Sequence, residues 1–439
     1  MSVFRSLRSR NFRLFFIGQG LSLIGTWMSM VATNWMVFRL ADARDPKSAP
    51  FVVGLIGFCS QLPIFLMAPF AGVLVDRWNP HRVLMATQTL SFIQSGVLAA
   101  LTLTHAITIP QIAALAIFQG FVNAFDMPAR QVFLLQVVEH TEDLSNAIAL
   151  NSSVFNGARV LGPSIAGVLI ARFSFPHDPE GYKFGAGLCF SVDAVSFLAV
   201  LIALLMMTVH HVQKSQAAHV LDEFKTGIAY AFHFTPIRAI LLFAAALSIT
   251  TMPIHTLLPF FAVELTSVQD GAQTFGFLTA ASGTGAIVGG LYLAWRRSVV
   301  GLDRVMAAAA VILGAMLIAF GMSGHLWLSL LCILISGLAM VIAFASGNTL
   351  LQTIVEDDKR GRVMSLFGTA LMGMACFGSY LAGALADRIG PPKALMVTGS
   401  LAIVVGLALA AMLPAIRKLI RPIYLKKGIV ADKHVIRVT

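Results

Sequence analysis

Charge is what this sequence has least of. Of its 439 residues, 12% are Asp, Glu, Lys or Arg, while 57% are hydrophobic. Soluble domains carry about 25% charged residues. A chain of this length with half that share cannot cover its surface in water. The scarcity excludes a soluble enzyme and makes lipid the second solvent. Cysteine is sparse too. Cys59, Cys189, Cys332 and Cys376 all lie in apolar runs without CxxC spacing, as small buried hydrophobes do, and not as disulfide or metal ligands do. A Gly-Lys-Ser/Thr phosphate loop is missing, which argues against ATP as the energy source. No His, Asp and Glu set has metal spacing, and no Ser stands in a nucleophile-elbow context. The expectation is no catalytic residue, no metal and no bound cofactor.

What the sequence does have is apolar runs of roughly 20–28 residues, and about 20 helical residues cross a bilayer core. Barrel strands would alternate in segments of about 10. The runs predict spans at 12–39, 51–75, 82–104, 110–127, 144–172, 184–209, 238–262, 272–295, 303–322, 326–349, 360–386 and 393–414. The first run is too long for a signal peptide and lacks a cleavage pattern. The formal net charge is +11, but the basic residues sit between apolar runs, as topology signals do, so nucleic acid is not expected as a partner. Of 31 Lys and Arg, 23 fall on the side of the N-terminus, seven on the other, and Arg159 within a span. That bias predicts both termini in the cytoplasm and a multi-pass protein of the bacterial inner membrane.

The longest polar interruption carries Leu221, Phe224, Ile228 and Phe232 mostly at helical spacing, opposite Asp222, Glu223 and Lys225. It reads as an amphipathic helix on the membrane surface. The expected division is an N-terminal six-helix bundle over 1–209, a linker over 210–236, a C-terminal six-helix bundle over 237–416, and a basic tail over 417–439 held at anionic lipid headgroups. Internal repeats support the two halves. Gly72-Val-Leu-Val-Asp76-Arg77 in the second span matches Gly383-Ala-Leu-Ala-Asp387-Arg388 in the eleventh. Gly167 ends the fifth span and Gly290 the eighth in similar contexts. Alternately inverted three-helix units are a transporter pattern.

The stretch from Gly72 through Asp76, Arg77 and Trp78 to Arg82 resembles the G-x-L-x-D-R-x-x-x-x-R signature of the major facilitator superfamily. Gly72 suits close helix packing, and the charges suit a gate that holds one conformation shut. Ala158-Arg159-Val-Leu-Gly162-Pro163-Ser-Ile-Ala166-Gly167 resembles the superfamily's exporter-associated G-x-x-x-G-P-x-x-G-G, with Ala for Gly at 158 and 166. Gln119-Gly120 match R-x-x-Q-G, but Ala116 takes the place of its Arg, which leaves proton coupling to other charges. Longer stretches, Phe4–Arg13, Gly25–Met28, Asn123–Gln131 and Asn146–Ser153, look like bacterial efflux proteins of the enterobactin-exporter and transmembrane secretion effector type. The resemblance implies an all-α membrane fold of about twelve helices, proton exchange as the driving force, and a single chain as the working unit.

Ionisable groups inside spans default to functional hypotheses. Asp126, Asp193 and Arg159 are the candidates for proton coupling. Asp126 and Arg130 straddle Pro128 four residues apart and share a helix face. The expectation is that they pair with Asp76 and Arg77 in an inner gate, with Gly162 and Pro163 shaping the fifth helix. Helices one, four, seven and ten line the cavity in this superfamily. Carried onto this chain, that wall includes Trp27, Met30, Asn34, Gln119, Asn123, His255 and Asn348. Trp27 offers a flat apolar face to an organic substrate. The function expected is secondary-active export of small amphipathic molecules such as siderophores or drugs, by alternating access. A lysophospholipid or lipid transporter, or an importer on the same fold, is the alternative, and a non-transporting scaffold is a third reading.

Overall fold

Apolar runs longer than a bilayer is thick must satisfy their backbone hydrogen bonds internally, and in the computed structural model they do so as helices. The structure describes residues 5–138, 141–174, 180–207, 229–252, 254–296, 298–356 and 359–430, without the side chains of residues 68, 69, 73, 76 and 141. Twelve helices among them are long and apolar enough to span a membrane. They are α1 (Arg10–Arg44), α2 (Ala49–Arg77), α3 (Pro80–Leu103), α4 (Ile109–Val137), α5 (Leu144–Arg172) and α6 (Gly181–Leu205), followed by α7 (Thr235–Leu265), α8 (Gly271–Trp295), α9 (Leu302–Gly321), α10 (Leu326–Ile354), α11 (Arg360–Ile389) and α12 (Pro391–Lys426). The expected amphipathic helix of the linker lies outside the described residues, as does everything after residue 430.

Local chemistry sets the helix starts. Ser9 caps α1 by accepting from the Phe12 N–H. Asn79 caps α3 by accepting from the N–H groups of His81 and Arg82, with Pro80 in the first turn. Thr108 and Gln111 form a capping box on α4. Gly390, at φ 85°, turns the chain between α11 and α12. Two helices are interrupted. Helix α7 runs as Thr235–Thr251 and Ile254–Leu265, and α11 contains a π segment, Thr369–Gly373. The Ser248 hydroxyl of α7 donates to the Leu371 carbonyl in that segment at 2.5 Å.

Two helix ends lie ten residues or more beyond the sequence reading. The fourth span, expected to stop at 127, continues through Pro128 to Val137. The twelfth, expected to stop at 414, continues through Pro414 and Pro422 to Lys426. The first part of the basic tail is therefore helix with a buried face, Ile416 and Ile420 included. Arg417 pairs with Asp303 of α9, and the Lys427 ammonium donates to the Thr353 carbonyl at 2.8 Å. These contacts hold the start of the tail against protein rather than freeing it for lipid.

The helices pack as two like sets. In the first, α1 packs on α5 and α6, α2 on α4, and α3 on α4 and α6. In the second, α7 packs on α11 and α12, α8 on α10, and α9 on α10 and α12. The sets meet along α2–α11 and α5–α8. Those contacts gather toward the face of the bundle away from the chain ends. A Cβ at Gly54 would stand 2.6 Å from the Ser379 carbonyl oxygen, and one at Gly383 would stand 2.7 Å from that of Pro50. The α5–α8 seam repeats this with Gly167, whose Cβ would stand 2.7 Å from the Ala272 carbonyl oxygen. Aromatic rings fill the rest. Phe51, Phe58 and Phe65, spaced by seven on α2, lie 5.5–5.9 Å from Phe377 and Tyr380 of α11. Trp35 stacks on Phe275 at 6.4 Å, and Phe38 meets Phe260 at 4.8 Å.

Toward the face that carries the chain ends, glycines of the same helices meet nothing among the described residues. A Cβ at Gly72, Gly157, Gly290, Gly361 or Gly368 would have no neighbour within 4 Å. The halves are closed at the far face and part toward the terminal face, leaving a cleft between them.

Candidate functional site: the apex of the cleft

The halves begin to part near the middle of α5. There a Cβ on Gly283 of α8 would stand 3.0 Å from the Arg159 carbonyl oxygen. Pro163 lacks an N–H and so cannot close the helical hydrogen bond to that carbonyl. Gly162 does a second job on the same turn. A Cβ there would stand 2.5 Å from the Trp27 Cβ and 2.9 Å from the Ile24 carbonyl oxygen, so glycine is what lets α1 lie directly on α5. The two motif residues thus set α5 against α1 on one side and α8 on the other.

This packing brings together residues that the sequence named separately. The Arg159 guanidinium carbon lies 5.7 Å from the centre of the Trp27 ring. Phe155, one turn earlier on α5, meets Trp27 edge-on at 6.2 Å and is 45% exposed. His255 of α7 is within electrostatic reach of Arg159. Its Nδ1 is buried without a hydrogen-bond partner, and its ring lines a small crevice in the second half with Thr251, Ser282 and Ser336. Met30 and Asn34 follow Trp27 on α1, and Asn348 sits on α10, all partly buried. Gln119 and Asn123 are engaged within the first half. The Gln119 amide donates to Asn123 Oδ1 and to Ser91 Oγ, both at 3.0 Å.

The two carboxyls inside the first half have different surroundings. Asp126 is fully served: Oδ1 accepts from Thr87 Oγ1 at 2.8 Å and Gln88 Nε2 at 2.7 Å, and Oδ2 accepts from Arg130 at 2.5 and 3.1 Å. Helix α4 continues through Pro128, which is what keeps Asp126 and Arg130 on one face. Asp193, at the middle of α6, has no cation beside it among the described residues. Its Oδ2 accepts from Ser95 Oγ of α3 at 2.7 Å. Its Oδ1 is buried without a hydrogen-bond partner of normal geometry, although the Thr26 and Ser29 hydroxyls of α1 lie nearby. The carboxyl therefore sits between α1, α3 and α6, away from the cleft.

At the expected inner gate, Asp126 and Arg130 share a helix face and pair with each other. Arg77 and Arg82 are exposed, and the Asp76 side chain lies outside the described residues. Gly72, expected to allow close packing, faces open space in this conformation because the halves stand apart at that end. Sequence reasoning missed Phe155, the hydroxyl and amide partners of the two acids, and the α2 aromatic row. The seven-residue spacing of Phe51, Phe58 and Phe65 was the available signal for that row.

The comparisons agree with this architecture. A transporter of staphyloferrin A from Staphylococcus aureus (strain NCTC 8325 / PS 47) is 27% identical over 396 residues, spanning 88% of this chain and 92% of that protein. The multidrug efflux pump Tap of Mycolicibacterium fortuitum is 23% identical over 403 residues, spanning 90% and 93%. A solved POT-family transporter in complex with a thioalcohol-conjugated peptide superposes with a TM-score of 0.70 at 13% identity, covering 93% of this chain and 96% of that one, which shows a shared fold. The transmembrane secretion effector family matches residues 1–421. With its twelve spans, paired halves and far-face seams, the chain belongs to the transmembrane secretion effector family of major facilitator transporters.

Proposed function

We propose that this chain is a secondary-active exporter of small amphipathic organic molecules in the bacterial inner membrane, working by alternating access. The observation that carries the reading is a cleft sealed at the far face with Trp27, Phe155 and Arg159 at its apex. With 23 of 31 basic residues on the terminal side, that side is cytoplasmic, and the conformation is inward-open, ready to load from the cell. The Gly162-Pro163 turn, and relatives named for a siderophore and for multidrug efflux, support export. Asp193 is the proposed proton carrier, because an uncompensated buried carboxyl is the group whose charge state a rocking motion affects most. Asp126 and Arg130, with Asp76 and Arg77, form the inner gate. The unit of transport is the single chain.

The test compares small molecules inside cells and in the medium, with and without the gene, under iron-poor and iron-rich growth. Export predicts a compound retained by the deletion strain. Unchanged retention together with unchanged drug sensitivity would remove the export reading and leave lipid transport or import as the assay to run.

A further inference from the structure

A cation at the middle of a membrane span needs a counter-charge, and this protein supplies one elsewhere. Arg130 has Asp126, and Arg417 has Asp303. Arg159 has none: among the described residues its guanidinium makes neither a hydrogen bond nor an ion pair, and its recorded contact is the Trp27 ring. A cation–π contact contributes about 0.5–2 kcal/mol, less than the several kcal/mol that desolvating a cation costs. The twelve helices hold no acid that could serve it. Asp126 is committed to Arg130, and Asp193 lies between α1, α3 and α6. The others (Asp42, Asp76, Glu264, Asp303 and Asp387) lie at helix ends. No acid occurs in α8, α10 or α12 at all. The apex therefore carries one positive charge with five N–H donors unengaged, beside an aromatic surface made of Trp27 and the half-exposed Phe155.

Resting on the exporter reading, we propose that Arg159 is the binding site for an anionic group, a carboxylate or similar oxyanion, on the transported molecule, with Trp27 and Phe155 receiving the flat apolar part beside it. The counter-charge that the protein omits arrives with the cargo. A guanidinium takes a planar oxyanion through two parallel N–H···O bonds, and charge assistance makes these roughly twice as strong as neutral ones. An occupied site is neutral and an empty one charged, which couples loading to the electrostatics of the closing cleft.

The experiment measures binding without transport, so it can fail while export stands. The full chain is placed in nanodiscs of phosphatidylcholine and its melting temperature recorded with naphthalene-2-carboxylate, the matching carboxamide and 2-naphthylmethylamine. The carboxylate is expected to stabilise most. Arg159→Gln is expected to weaken it at least tenfold, and Arg159→Lys to retain part of the affinity and report that the fold survives. Arg159→Glu is expected to shift the preference to the amine. Equal binding of all three probes, no binding by any, or carboxylate binding unchanged in Arg159→Gln would each overturn the proposal. A fourth arm adds phosphatidylglycerol. Stabilisation by that lipid alone, lost in Arg159→Gln, would assign the site to a lipid headgroup and overturn it as a cargo site.

Discussion

Gly162 of α5 lies directly against Trp27 of α1: a single added methyl group at 162 would stand 2.5 Å from the Trp27 Cβ. The clash is with backbone-anchored atoms and cannot be relieved by a rotamer change. Gly162→Ala is expected to cost about 1–3 kcal/mol and to lower the melting temperature of the purified protein. Gly290→Ala is the control. With nothing within 4 Å, it should be neutral or stabilise by up to about 1 kcal/mol through helix propensity.

The far-face seam depends on rings rather than on charges. Phe58 touches both Phe377 and Tyr380, so Phe58→Ala removes two contacts worth about 0.5–1.5 kcal/mol each beyond burial. The expected result is a larger share of molecules open at that face. Spin labels at Lys47→Cys and Lys393→Cys, in a background without the native cysteines, would read this as a longer-distance population. An unchanged distance distribution would contradict the seam's role.

Asp126 and Arg130 form a largely buried pair, with side-chain exposures of 9% and 22%. Removing one partner of such a pair costs about 3–5 kcal/mol because the other is left uncompensated. Asp126→Asn should therefore impair folding or transport more than the double change Asp126→Asn with Arg130→Gln does. Additive losses in a double-mutant cycle would show that the two act independently.

Asp193→Asn keeps the acceptor for Ser95 Oγ and removes the ionisable oxygen. If Asp193 carries the proton, the variant folds and binds its cargo, but loses accumulation in inverted vesicles that depends on the pH gradient. Retained sensitivity to dissipating that gradient would move the role to another group.

Arg417→Ala removes the α9–α12 ion pair with Asp303 and should release the last turns of α12. Proteolysis near Lys426 is expected to speed up while transport is preserved. Equal protection in the variant would mean that Ile416 and Ile420 suffice to hold the helix.

The spans were legible because bilayer thickness fixes their length and little else needs to be known. Where the reading stopped short, after 127 and after 414, prolines and nearby charges interrupted the apolar run but not the helix. Asp126 has Arg130 one turn on, and Arg417 has Asp303 on a neighbouring helix far away in sequence, so the backbone could continue. The i,i+4 pair was visible in the sequence, whereas its further partners Thr87 and Gln88 were not, because no periodicity encodes which faces of α3 and α4 meet. The same holds at the apex. Trp27 and Arg159 stood out individually as an aromatic and a charge inside spans. Their contact depends on Gly162 allowing α1 and α5 to touch, and that is a property of packing. The aligned glycines at 167 and 383 show the reverse case: a weak repeat in sequence became two equivalent seams in space.

The six ring contacts between the two halves have one more consequence. At about 0.5–1.5 kcal/mol each beyond burial, they oppose opening by several kcal/mol, and a net remainder of about 3 kcal/mol would hold an alternative state near 1%. An idle copy is thus a stoppered vessel, and cells can carry many copies without opening a leak through the membrane.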